Sequence, residues 1–290
     1  MLYDYPKSEI SEIKVSVWLM GEGRAIKWYR FSFLSKVRTG CPTNDEVSGV
    51  YFEPKVEPRR PPTVLLHSWL TNRPILPIYS HFAKMIATSG SPCILPALPY
   101  HLDRTPKNSL SGARFLRLNP SETLRSFRQA VVDVRSCLDW LEQRYGYHEF
   151  SIVGISLGAI LACVCMGVEP RLKRSVFILG GGDVGEIVGS GLTTFFIRKK
   201  ARVGLDENRQ SQLLDPLTFA HLIRHRKVLM INARFDPVIP RKSTMKLWHA
   251  LGEPPIIWLP STHITSCIFY AFIVKKTVEF LKFDGGVRCS

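Results

Sequence analysis

The chain has 290 residues, 45% of them hydrophobic, enough to build a large core within the length that a single domain still reaches, so one domain spanning 1–290 is expected. Lys and Arg number 39 against 24 Asp and Glu, a net charge of +15 that favours anionic surfaces or anionic substrates and says nothing about fold. The basic residues are scattered, as at Arg59 and Arg60 or Arg171, Lys173 and Arg174, with no aromatic interleaving, which argues against a nucleic-acid partner and leaves a possible anionic or membrane-surface contact.

The seven cysteines are an odd number without paired metal spacing, and Cys137, Cys163 and Cys165 sit in apolar runs. They read as buried free thiols in a reducing compartment, with no metal site. The opening MLYDYPKSEI carries acids and a proline and no long apolar stretch, unlike a secretion signal or a membrane anchor, so a cytoplasmic location is expected.

In chain order, residues 1–61 hold β-rich stretches at Ile13 to Met20, Ile26 to Phe33 and Val47 to Phe52, broken by turn residues such as Gly21 and Gly40. These predict antiparallel edge strands. From Pro62 onward strand-like and helix-like segments alternate, the pattern of a mostly parallel sheet covered by helices. The apolar run Thr63 to Leu66 ends in His67-Ser68-Trp69, a helix follows from about Ile78 to Ser89, and a strand from Pro92 to Pro96. Leu98 to Pro120 is a long irregular loop. Ser121 and Glu122 open a helix whose apolar positions, Leu124, Phe127, Val131, Val134, Leu138 and Leu141, recur every three or four residues up to Gly146. Strands at Phe150 to Ile155, Ser175 to Leu179, Lys227 to Ala233 and Pro255 to Leu259 alternate with helices at Ala159 to Met166, Ser243 to Leu251 and Ile268 to Leu281. The alternation lapses at 183–215, read as a small helical cap insertion to which Thr194, Phe195, Phe196 and Ile197 supply apolar surface.

Gly154-x-Ser156-x-Gly158 stands between an apolar strand and a buried helix. A serine on such a strand-to-helix elbow is held in a strained conformation that exposes its hydroxyl at the carboxyl edge of a sheet, and the backbone amide of Leu157 can meet a developing oxyanion there. An activated serine needs a base, and the base an orienting acid. Asp236 follows the strand at 227–233, His263 follows the strand at 255–259, and Asp183 and Asp215 are alternative acids in other loops.

With Ser156, Asp236-x-x-x-Pro240 and His263 in that chain order, the sequence resembles the α/β-hydrolase superfamily from residue 62 onward, and its esterase and dienelactone-hydrolase-like branches in particular. The resemblance implies a three-layer α/β fold and gives Ser156, Asp236 and His263 the roles of nucleophile, acid and base. It implies a second oxyanion donor in the loop after Thr63 to Leu66, where many members carry His-Gly. Here the sequence is His67-Ser68-Trp69-Leu70, so Trp69 and Leu70 are both candidates. His67, Tyr100 and Arg104, with His101, lie at the same sheet edge as candidate substrate contacts, Arg104 or Arg114 being suited to an anionic group; the structural alternatives are a loop-orienting role for His67 and, for the 98–106 segment, a loop held by polar contacts. The expected activity is cleavage of a carboxylic ester, with a medium-sized acyl ester or lipid as the substrate class, without cofactor or metal. An acyltransferase, an amide hydrolase and a non-catalytic small-ligand binder are the competing readings.

Overall fold

The computed structural model describes residue 3 and residues 13–56, 60–117, 119–190 and 212–282. Its centre is a nine-stranded sheet in the order β1-β2-β3-β5-β4-β6-β7-β8-β9. β1 (Ser16–Glu22), β2 (Ile26–Leu34) and β3 (Glu46–Pro54) form an antiparallel edge, and β3 pairs antiparallel with β5 (Cys93–Pro96). β4 (Thr63–Leu66), β6 (Phe150–Ile155), β7 (Leu172–Ile178), β8 (Lys227–Ala233) and β9 (Ile256–Leu259) continue in parallel from β5. This is the mostly parallel sheet with N-terminal antiparallel strands that the alternation predicts.

Side chains alternate across the central strands, so each strand feeds two cores. Val64, Leu66, Ile152 and Phe177 face one core with α3 (Pro120–Tyr145) and α4 (Leu157–Val168). Leu65, Val153, Val176 and Ile178 face the other with α2 (Leu76–Thr88) and α8 (Tyr270–Phe280). α3 begins one turn-setting residue earlier than Ser121 suggests, because Asn119 caps it by accepting a hydrogen bond from the Ser121 amide and Pro120 occupies its first turn. Gly146 ends it in the left-handed conformation (φ 66°).

The remaining helices are the four-residue α1 (Pro42–Asp45), α5 (Val184–Ser190), α6 (Pro216–Ala220) and α7 (Arg241–Ala250). α5 lies within the expected cap at 183–215 and α6 follows it; residues 191–211, Thr194 to Ile197 among them, lie outside the described residues. No described helix is long and apolar enough to cross a membrane.

Candidate active site

β6 lies between β4 and β7 in the sheet, and the chain turns from it into α4 at Ser156. Ser156 has φ 56° and ψ −115°, a conformation that L-residues adopt only under constraint. The constraint is close backbone contact. A side chain at Gly154 would strike the carbonyl of Gly158, and one at Gly158 would strike that of Leu66, so the glycines let the strand, the elbow and β4 approach one another. The Ser156 amide donates to Ile178 O at 2.8 Å, which ties the elbow to β7. The amides of Leu157 and Gly158 have no acceptor among the described residues, which leaves a helix N-terminus open beside the hydroxyl.

His263 Nε2 stands 3.1 Å from Ser156 Oγ, and His263 Nδ1 stands 2.7 Å from Asp236 Oδ2. A carboxylate only accepts, so Nδ1 carries the proton and Nε2 offers its lone pair to the serine hydroxyl. Asp236 Oδ1 in turn accepts from the amides of Val238 (2.8 Å) and Ile239 (2.9 Å), which fixes the carboxylate from behind. The acid and histidine loops are laced together where Arg234 N meets Leu259 O and Phe235 N meets Ser261 O, and Ser266 Oγ donates to His263 O. The other two acids do not take part. Asp215 accepts from the amides of Asp183, Val184 and Leu217, and Asp183 pairs with Lys246.

In the loop after β4, Leu70 donates its amide to His101 Nε2 at 3.3 Å, whereas the Trp69 amide has no acceptor among the described residues. Trp69 itself is anchored through its indole Nε1 to Gly112 O at 2.9 Å. Of the two candidates, the free amide is that of Trp69.

Two candidate substrate contacts take up structural roles, the alternative that the sequence leaves open for both. Arg104 is fully buried; its guanidinium bonds Asn44 O and Ala97 O and pairs with Asp133 at 2.9 Å, leaving it no face for a ligand. Burial pushes the Asp133 carboxyl up, against the opposing pull of the Arg104 charge. His67 is likewise fully buried, donating from Nδ1 to Ser68 O and accepting the Leu98 amide at Nε2, and burial lowers its pKa to about 4. It orients two loops. Tyr100 is half-buried and lines a depression of about 330 Å³ with Arg114, Arg117 and Arg125, to which none of Ser156, Asp236 and His263 contributes.

The sequence reading missed Asn44 and Gly112, and it places His101 at the sheet edge without a role. Asn44 is buried, accepts the Tyr100 amide at 2.8 Å and donates to Gln129, and so joins α1, α3 and the 98–117 loop. His101 and Gly112 hold the loop of Trp69 and Leu70. No local pattern marks these three, since each acts on a residue far away in the chain.

The model of the family "Alpha/beta hydrolase domain containing 18" matches residues 80–182, a stretch that includes the Ser156 elbow and ends before Asp236 and His263. Uncharacterized proteins from two strains of Mycobacterium tuberculosis are 24% identical over 199 residues, 68% of this chain and 48% of theirs, so the chain spans about half the length of the curated relatives it matches. Among solved structures, the acetyl xylan esterase from Paenibacillus sp. R4 superposes with a TM-score of 0.68 at 18% identity, covering 94% of this chain and 90% of that one. The acylaminoacyl peptidase of Pyrococcus horikoshii gives 0.67 at 18% identity over 92% of this chain and 44% of its own. A cold-adapted esterase from an Arctic intertidal metagenomic library gives 0.63 at 17% identity over 90% and 97%.

Proposed function

We propose that this protein, which has the α/β-hydrolase fold, is a serine hydrolase that cleaves a carboxylic ester through Ser156, His263 and Asp236. The single observation that carries the reading is the continuous hydrogen-bonded chain from Ser156 Oγ through both ring nitrogens of His263 to Asp236, starting from a serine at positive φ.

In the first step Ser156 Oγ attacks the ester carbonyl carbon while its proton passes to His263 Nε2, and Asp236 stabilises the imidazolium. The negative charge moves to the carbonyl oxygen, which the amides of Leu157 and Trp69 receive. Collapse expels the alcohol, which takes the proton from Nε2 and leaves an acyl-serine. Water, deprotonated by the same nitrogen, then repeats the sequence and releases the carboxylic acid. The exposed apolar side chains Phe235 and Ile264, neighbours in sequence of Asp236 and His263, favour an apolar acyl group. The arginines beside Tyr100 suit an anionic part of the substrate or an anionic surface nearby.

The test is mass spectrometry of intact protein after reaction with a fluorophosphonate, comparing wild type with Ser156→Ala. An adduct on Ser156 that the variant lacks is expected. Folded wild-type protein that takes up no adduct would instead favour a binder of small ligands that has the fold without the chemistry.

A further inference from the structure

We propose that His101 is a positioning residue of the oxyanion loop: by accepting the Leu70 amide it holds the backbone in the turn that leaves the Trp69 amide free to receive the oxyanion. This rests on the serine-hydrolase reading above and deepens it.

The loop has a problem to solve. Where many α/β-hydrolases follow the loop histidine with glycine, this chain has Ser68, Trp69 and Leu70, and Leu70 lies at φ 60°. A residue with a Cβ resists that conformation, so neighbouring structure must impose it. His101 supplies the restraint. Its Nδ1 is 2.9 Å from Pro99 O, and a carbonyl only accepts, so Nδ1 carries the proton and Nε2 presents a lone pair to the Leu70 amide. The ring is buried and cannot swing away, packed edge-on against His67 (centroids 5.0 Å apart) and tilted against Phe115 (5.6 Å).

Gly112 completes the clamp. It lies at φ 79°, and a Cβ there would collide with His101 Nε2 and approach the Leu70 amide to 3.0 Å, so only glycine leaves room for the bond. Its own amide donates to Tyr100 O and its carbonyl accepts the Trp69 indole, so one residue braces both loops. With the Leu70 amide engaged and the Trp69 ring tethered, the candidate donor left without an acceptor among the described residues is the Trp69 amide.

The experiment compares wild type, His101→Gln, His101→Leu and Gly112→Ala, with Ser156→Ala as the chemical blank. Steady-state hydrolysis of a p-nitrophenyl ester is measured beside inhibition by a trifluoromethyl ketone, whose adduct carries the oxyanion. Loss of one oxyanion donor lowers kcat about 10²-fold or more. His101→Leu, which keeps bulk and removes the acceptor, is expected to lose that much in kcat with KM nearly unchanged, and the ketone is expected to weaken in proportion. Glutamine can present an acceptor at the same reach and should restore most of the rate. Gly112→Ala should behave like His101→Leu with the histidine intact, and so provides the test if the leucine variant fails to fold.

Folded His101→Leu or Gly112→Ala protein with wild-type kcat, alongside an inactive Ser156→Ala, would overturn the role of His101 and leave the serine-hydrolase reading standing. Parallel loss of kcat and stability without selective loss of ketone affinity would equally overturn it. Wild-type protein with neither turnover nor a fluorophosphonate adduct would remove both.

Discussion

On the elbow side of Ser156 the backbone is held by the absence of side chains; in the loop of Trp69 and Leu70 it is held by their presence. Gly154 and Gly158 let three backbone segments touch, and the strain at Ser156 follows from that contact. Leu70 also lies at positive φ, and the buried side chains of His101, bonded to its amide, and His67, bonded to Ser68 O, hold the turn. The difference teaches where each region should fail. Changes on the elbow side should appear in turnover, and changes around the loop should appear in stability as well.

The largest expected effect is on the elbow side. With Ser156 as the proposed nucleophile, Ser156→Ala should lower kcat by as much as 10⁶-fold, on the order found when a triad nucleophile is deleted, with an unfolding midpoint close to wild type. Substantial residual ester turnover by pure variant would show that another group carries the chemistry.

Arg104→Met probes the loop side. It leaves the Asp133 carboxyl buried without its cation, a loss of about 3–5 kcal/mol when one partner of a buried pair is removed. The urea midpoint at pH 7 should fall accordingly, while KM of the remaining folded protein stays constant. A raised KM for anionic esters with unchanged stability would return Arg104 to the substrate.

The same loop should make the protein acid-sensitive. Burial lowers His67 to about 4 and His101 to about 3, with each ring's repulsion by a neighbouring cation or by the other ring adding to it. Both titrate near 6.5 in an unfolded chain. Below about pH 6.5 the unfolded chain therefore binds protons that the folded chain refuses, and stability falls as pH drops, until about 4 for His67 and about 3 for His101. Each proton contributes a slope of about 1.4 kcal/mol per pH unit. His101→Gln should flatten the wild-type curve by that amount between about pH 6 and 4; parallel curves would mean that His101 is not held neutral.

These contrasts also explain what could be read from the sequence. β6 and β8 match the expected strands residue for residue, because an apolar run closed by turn residues is a local signal. The order of Ser156, Asp236 and His263 was legible because each follows its own strand, and a parallel sheet brings the carboxyl ends of its strands to one edge. For Arg104 the sequence leaves a ligand and a structural role side by side, because its position after a strand is visible while its buried partner on α3 is not. His101 could be placed at the sheet edge but given no role, because its bond to Leu70 joins residues 31 apart through two loops with no periodicity.

The smallest effect separates strain from chemistry at Ser156 itself. A non-glycine residue held in a sparsely populated region costs about 1–3 kcal/mol. Glycine would relieve that cost but would give back about 0.5–1 kcal/mol through its freer unfolded chain. Alanine keeps the Cβ and therefore the strain. Neither variant has the hydroxyl, so their stabilities can be compared without reference to activity, and Ser156→Gly should be more stable than Ser156→Ala by about 1 kcal/mol in urea. If alanine proved equal or better, the elbow would be relaxed as it stands, and the exposure of the hydroxyl would owe nothing to strain.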